Sequence, residues 1–308
     1  DPQRWSPSYE ADVASAYIRN EDGQRPADQP FALTVAMNPP HTPNESLEDC
    51  EEEDYRLYAD RPCEELVNRP NVDDAAATCE AAKFYFAQVS GVDRAFGQIL
   101  QAIEDSGQAD RTIVLFLSDH GELLGSHGRR GKNQIYAESF RIPCLLRAPG
   151  LRPGHDPLQI TAVDFMPTLL GLLGQRQEIP DGVAGVDYSP LWLRDAPMPE
   201  RPDAALFMRN VPGPQDDQGL HRGYRGVARG VTTAHHTLLI DDPYADEGPR
   251  IQIFDDDRDP YQQQSLPWRE RPDLARELFA HCARLLRRAD DPWYHGGVLR
   301  GTLPYDEV

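Results

Sequence analysis

Apolar positions along the chain alternate between two spacings, and the order of that alternation predicts helices and strands in succession. Between Pro7 and Asn20, the residues Val13, Ala16, Tyr17 and Ile18 fall at helical spacing. Phe31 to Met37 (FALTVAM) is a short, partly β-branched apolar run that predicts a buried strand, stopped by Pro39 and Pro40 just before His41. From Ala75 to Glu104, Phe84, Ala87, Val89, Val92, Phe96, Ile99, Leu100 and Ile103 recur at three and four, which predicts an amphipathic helix of several turns, broken at Gly107. Ile113 to Leu117 then reads as a strand buried on both faces of a parallel sheet, and Ile142 to Arg147 as a third short strand. Asp164 to Leu173 (DFMPTLLGLL) predicts a compact helix with Asp164 as its N-cap and Pro167 tolerated in the first turn. Beyond a proline-rich stretch, the segments around Gly226–Thr233, His236–Asp241 and Arg250–Asp255 predict short antiparallel strands. A last helix over Asp273–Arg288 carries Leu274, Leu278, Phe279, Cys282 and Leu285 on one stripe.

Helix followed by strand in the first part, and strands followed by a helix in the last, predict an α/β fold with a subdomain boundary at about residue 196. Residues 1–195 form the larger α/β part and residues 196–308 a small C-terminal subdomain with an antiparallel sheet and a terminal helix. Thr42 to Asp74, rich in Glu, Asp, Pro and Asn, is expected to be a long surface excursion. The chain contains no run of eighteen apolar residues, so no membrane span is expected. Its 31 basic and 51 acidic residues give a net charge of -20, which argues against nucleic acid or an anionic membrane as partner. The five cysteines form no CxxC pair and are odd in number, so buried structural thiols are expected; Cys50 and Cys63 are the pair that an oxidising compartment could join.

Candidate chemistry gathers at the carboxyl ends of the predicted strands, where α/β sheets place their ligands. Asp119 offers a hard oxygen donor and His120 a nitrogen donor, and Gly121 lets the turn bend both toward one cation; the plainer reading is an Asp that caps the following helix. Lys132 follows thirteen positions on, after Gly128 and Gly131. Between Arg129 and Arg152 there are six basic residues and one acidic one, a local exception in an acidic chain, although Arg141, Arg147 and Arg152 are expected to pair with surrounding acids. His41 sits at a strand end in a proline-rich loop, where a solvated imidazole is the ordinary outcome.

SDHGELLGSHGRRGKNQIYAESFRIPCLLRAPG resembles the C-terminal half of the sulfatase family in the alkaline phosphatase superfamily, where a strand-end SDHG or SDNG precedes a lysine and an ES-x-R-(I/V)-P segment. PFALTVAMNPPHTP, FYFAQVSGVDRAFGQILQAIEDSG, TAVDFMPTLLGLLG and IFDDDRDPYQQQSL resemble the same family in the same order, so the likeness covers most of the chain. It implies an alkaline-phosphatase-like, mixed and mostly parallel sheet flanked by helices. It implies that Asp119 and His120 bind one divalent cation, Ca2+ first, with Mn2+ or Mg2+ as alternatives because His120 stands where many members have Asn. It further implies that Lys132 contacts the sulfate group and His41 the ester oxygen of the leaving group. The implied substrate is a small anionic sulfate ester, with sulfated carbohydrate its commonest form. The physical logic is that a charge-rich transition state needs a metal and fixed cations, and a departing alkoxide needs a proton donor.

The chain departs from the family in two respects: the two further acidic metal ligands that members carry near their N-terminus are not here, and neither is their nucleophile cysteine. No cysteine is followed by x-P-x-R, the motif in which Cys or Ser becomes the formylglycine nucleophile: Cys63 begins CEELV and Cys144 begins CLLRA. The 308 residues are therefore expected to be the C-terminal part of a longer enzyme whose nucleophile and first strands lie upstream, inactive and poorly soluble alone because a sheet edge is left open. Two alternatives are a phosphonate monoester or phosphodiester hydrolase of the same superfamily and a non-catalytic pseudoenzyme.

Overall fold

A computed structural model of the protein describes residues 4–26, 28–194, 197–212, 224–241 and 249–295. The chain divides into two compact units, the first made of Asp1–Leu117, Leu123–Arg130 and Cys144–Pro149, the second of Ser118–Glu122, Gly131–Pro143 and Gly150–Val308. The boundary expected at about residue 196 lies outside the described residues. The architecture is mixed α/β. No helix among the described residues is long and apolar enough to cross a membrane.

In the first unit, two amphipathic helices supply the core. Ser6–Arg19 lays Ala11, Ala14 and Ile18 against Ala95, Ile99, Ala102 and Ile103 of the 31-residue helix Ala75–Asp105. Small alanines on both faces let the two backbones approach, and the long helix starts where the Asp74 carboxylate accepts the Ala77 N–H. Strand β1, Val114–Leu117, follows Gly107 as predicted, and its ladder partner among the described residues is β2, Cys144–Arg147, which runs antiparallel to it where a parallel neighbour was expected. It is also half-buried, not covered on both faces, and Leu145 of β2 is 62% exposed. A continuous apolar run encodes neither the direction of a strand's neighbour nor how many of its faces are covered. Phe31–Met37 forms no ladder at all: it runs extended, and Phe31, Val35 and Met37 pack on the helix pair without a hydrogen-bonded strand beside them among the described residues.

The Thr42–Asp74 excursion is more structured than its composition suggests. It carries two single-turn helices, Glu52–Tyr55 and Cys63–Leu66. Buried Asp54 forms an ion pair with Arg94 of the long helix, and Tyr55 stacks on Phe84. Cys63 bonds to Cys79, not to Cys50, because Cys79 occupies the second turn of the long helix directly beneath the excursion. Cys50 and Cys282 are buried free thiols, pushed up to about 11 and about 12 by desolvation, so both are held as unreactive thiols; Cys144 is exposed.

The second unit contains an antiparallel sheet in the order β3 (Ala205–Pro212), β4 (Tyr224–Thr232), β5 (His236–Asp241) and β6 (Arg250–Asp255). Three of its strands follow the alternation in the sequence; β3 was hidden in the proline-rich stretch. The helix Pro272–Arg288 covers one face of the sheet, packing Leu278, Phe279, Cys282 and Leu286 against Val231, Leu238, Ile240 and Ile253. Phe165–Leu172 is the expected short helix, but Asp164 does not cap it: its carboxylate accepts from Thr161 N at 2.8 Å and Val186 N at 2.8 Å, closing a capping box on the preceding 3-10 turn. Arg229 and Asp291 are 6% and 5% exposed and bond at 2.9 Å, with the guanidinium also over the Trp293 ring. Asp291→Ala is expected to lower stability by about 3–5 kcal/mol, since it strands a buried cation; denaturant unfolding measures this, and a loss within 1 kcal/mol would mean that solvent reaches the guanidinium.

Candidate metal and anion site

Asp119 and His120 lie in a tight turn that follows β1 in sequence. The Asp119 Oδ1 accepts the His120 backbone N–H at 2.9 Å, while Oδ2 lies 3.5 Å from His120 Nε2. His120 Nδ1 is 2.9 Å from the Gly121 carbonyl oxygen. A carbonyl only accepts, so Nδ1 carries a proton, and Nε2 faces the Asp119 carboxylate. This is the arrangement in which imidazole ligands are held, one nitrogen on a backbone carbonyl and the other presented to the ion. The two donors lie 3.5 Å apart, one a carboxylate oxygen and one an imidazole nitrogen, and both would hold a divalent cation placed between them. The donor set therefore fits a divalent cation. It supplies only part of a coordination shell, since no cluster of three or more His, Cys, Asp or Glu side chains able to hold a metal occurs among the described residues.

The turn is fixed by backbone packing. Ser118 Oγ donates to the His120 carbonyl at 3.0 Å, and Gly121 N–H donates to the Ser139 carbonyl at 2.9 Å. A Cβ at Gly121 would sit 2.0 Å from the Glu138 carbonyl oxygen, so only glycine lets the two segments meet. Glu122 reaches back to accept the Gly131 N–H at 2.6 Å, which sets the start of the segment carrying Lys132. Gly131 and Asn133, on either side of Lys132, have left-handed φ values of 76° and 64°, so the lysine stands at the apex of a sharp bend. Gln134 N–H then donates to Ser139 Oγ at 3.3 Å. Asp119, His120 and Lys132 thus belong to one unit and share one anchoring segment. Glu122 and Ser139, which hold them, escaped sequence reasoning; the only trace was the ES of the ES-x-R segment and an acid placed next to the glycine.

His41 belongs to the first unit. It is exposed, and its Nδ1 lies 3.0 Å from the Thr42 carbonyl, which again puts a proton on Nδ1. Cis peptides at Pro39-Pro40 and Thr42-Pro43 flank it, and the buried Gln88 of the long helix donates to the Pro43 carbonyl at 2.8 Å, tying the loop down. Other basic candidates have structural partners: Arg141 with Asp256, Arg147 with Glu104, and Arg130 on the Ala77 carbonyl. His127 bonds to Asn71 and His235 to Asp257, in keeping with structural roles for both.

A sequence profile of the Sulfatase family matches residues 10–175. An endo-4-O-sulfatase of Bacteroides thetaiotaomicron is 42% identical over 308 residues, covering 99% of this chain and 61% of that protein. An ulvan-active sulfatase of Formosa agariphila is 32% identical over 272 residues, covering 85% of this chain and 48% of that protein. A solved structure described under the metabolism of multiple glycosaminoglycans by Bacteroides thetaiotaomicron superposes with a TM-score of 0.91 at 41% identity, over 98% of this chain and 63% of that one. The chain thus spans between about half and about two thirds of the length of these relatives.

Proposed function

This chain belongs to the sulfatase family, and from that premise we propose that the protein it forms part of hydrolyses sulfate esters, using a divalent cation held in part by Asp119 and His120. The observation that carries this reading is the pairing of His120 Nε2 with Asp119 Oδ2 at 3.5 Å while His120 Nδ1 is held on the Gly121 carbonyl. A cation bound there would neutralise developing charge on the sulfate oxygens. Ca2+ is the first assignment because Asp119 is a hard oxygen donor, with Mn2+ or Mg2+ as alternatives given the imidazole nitrogen. Lys132 supplies a second fixed positive charge to the sulfate group. His41, with a proton on Nε2 as well as the Nδ1–H held by the Thr42 carbonyl, would pass the Nε2 proton to the departing alkoxide as the ester's S–O bond breaks and the nucleophile's oxygen forms the new bond to sulfur. No cysteine among these residues is followed by x-P-x-R, and the one serine match, Ser265–Arg269 (SLPWR), lies in the turn after β6 with Ser265 Oγ accepting the Ile253 N–H at 3.2 Å, so the formylglycine nucleophile is assigned to a segment outside these residues.

The substrate class proposed is a sulfated carbohydrate, specifically a 4-O-sulfated glycosaminoglycan oligosaccharide. The 42% identity to an endo-4-O-sulfatase and the 41% identity to a glycosaminoglycan-related structure support it. The test is sulfate release by the complete protein from 4-O-sulfated and 6-O-sulfated oligosaccharides, beside phosphonate release from an aryl phosphonate monoester. Cation-dependent hydrolysis of the 4-O-sulfate at a kcat/KM at least tenfold above the others is expected. Preference for the phosphonate would move the assignment to that alternative, and no turnover of any of them would favour a non-catalytic role.

A further inference from the structure

Both parts of the candidate site hang on one short segment, and that segment is held from a distant turn. The Ser139 carbonyl accepts from Gly121 next to His120, and the Ser139 hydroxyl accepts from Gln134 two residues past Lys132. Where this segment begins its single helical turn, Ala137–Phe140, the Ala137 N–H donates to Gln262 Oε1 at 2.9 Å. Gln262 comes from the turn after β6, 125 residues further on, and is 2% exposed with a left-handed φ of 52°. The other end of its amide is also engaged: Nε2 donates to Asp256 Oδ1 at 3.3 Å. Asp256 Oδ2 in turn accepts from Thr237 Oγ1 at 2.7 Å and from Arg141 at 3.5 Å. Because the Ala137 amide only donates, the amide orientation of Gln262 is dictated, and each of its two polar ends has one complementary partner.

We propose that Gln262 is a positioning residue for the cation site, fixing through Ala137 and Ser139 the turn that presents Asp119 and His120. The role rests on the cation reading above. It gives a chemical reason for the late segment IFDDDRDPYQQQSL, which contributes none of the assigned ligands: it carries both the amide that bonds Ala137 and the carboxylate that orients that amide. Partners beyond the ligands typically change metal affinity by about 10–100-fold when removed. A buried bond from a side chain to a backbone amide also resists slow drift of the segment, because its loss leaves the Ala137 N–H without an acceptor.

The test is calorimetric titration of Ca2+ and Mn2+ into the complete protein, with the cation-free melting temperature followed in parallel. Gln262→Met, which keeps the length of the side chain and removes both bonds, is expected to raise Kd at least tenfold. Ser265→Ala disturbs the same turn, where its Oγ accepts the Ile253 N–H at 3.2 Å, but does not touch Ala137, and is expected to leave Kd within about twofold. Gln262→Glu alone places two carboxylates against each other and is expected to weaken binding as Gln262→Met does. Gln262→Glu combined with Asp256→Asn exchanges donor and acceptor across the 3.3 Å contact and is expected to return Kd to within threefold of wild type. This pair also supports the comparison if Gln262→Met does not fold. Unchanged Kd in Gln262→Met or Gln262→Glu, despite a lower melting temperature, would overturn the proposal, as would a double variant no better than Gln262→Glu. A wild-type protein that binds neither cation would instead overturn the cation reading, and this role with it.

Discussion

Asp119→Ala is expected to reduce cation-dependent sulfate-ester hydrolysis to background, with kcat/KM falling by about three orders of magnitude or more, roughly 4 kcal/mol of transition-state stabilisation. The size of the effect follows from the smallness of the donor set. With two donors assigned among the described residues, removing the carboxylate leaves a single imidazole, whose Nδ1 lies on the Gly121 carbonyl. The melting temperature is expected to stay within about 2 °C of wild type, because the Asp119 side chain is 85% exposed and bonds only to the adjacent residue. Loss of activity with retention of fold separates a ligand from a structural acid. Activity within tenfold of wild type would assign Asp119 to the local turn, the plainer role in which it accepts the His120 N–H.

Lys132→Ala is expected to lower turnover by about two orders of magnitude, or about 3 kcal/mol, with cation affinity unchanged. Lys132 stands at a bend fixed by Glu122 and by the left-handed Gly131 and Asn133, so the backbone sets where the lysine is presented. A compact point charge so placed is not reproduced by the wider, planar guanidinium, and Lys132→Arg is expected to recover less than a tenth of the lost rate. Steady-state kinetics with a sulfated substrate, beside a cation titration, checks both points. A drop in cation affinity equal to the drop in turnover would show instead that the lysine holds the turn.

Much of the local structure was legible because it depends on spacing. The long helix shows its face in the three-and-four recurrence from Phe84 to Ile103, and the C-terminal helix shows its stripe equally clearly; both form almost as predicted. Strand β1 was legible as a strand but not as an antiparallel one, because pairing direction depends on residues thirty positions away that the run itself does not encode. Phe31–Met37 has strand composition yet lacks a ladder partner among the described residues, so its apolar side chains pack on helices. The Cys63–Cys79 bond joined an excursion to a helix that the sequence could only describe separately.

The candidate site divides along the same line. Asp119, His120 and Lys132 could be named because their residue types carry chemistry and their order resembles that of a family. What holds them could not. Gly121 must be glycine because the Glu138 carbonyl lies where its Cβ would be, and Gln262 matters because it reaches Ala137 from 125 residues away. Neither fact exists until the chain is folded. The charge exception around Lys132 also looked different in three dimensions: Arg141 and Arg147 form ion pairs with Asp256 and Glu104.

The central claim is that Asp119 and His120 hold a divalent cation together. Its most direct measurement is anomalous diffraction from crystals of the complete protein grown with Mn2+. A difference peak is expected within bonding distance of both Asp119 Oδ2 and His120 Nε2, displaced by added Ca2+. A metal bound elsewhere, with His120 still on the Gly121 carbonyl and no density between it and Asp119, would contradict it.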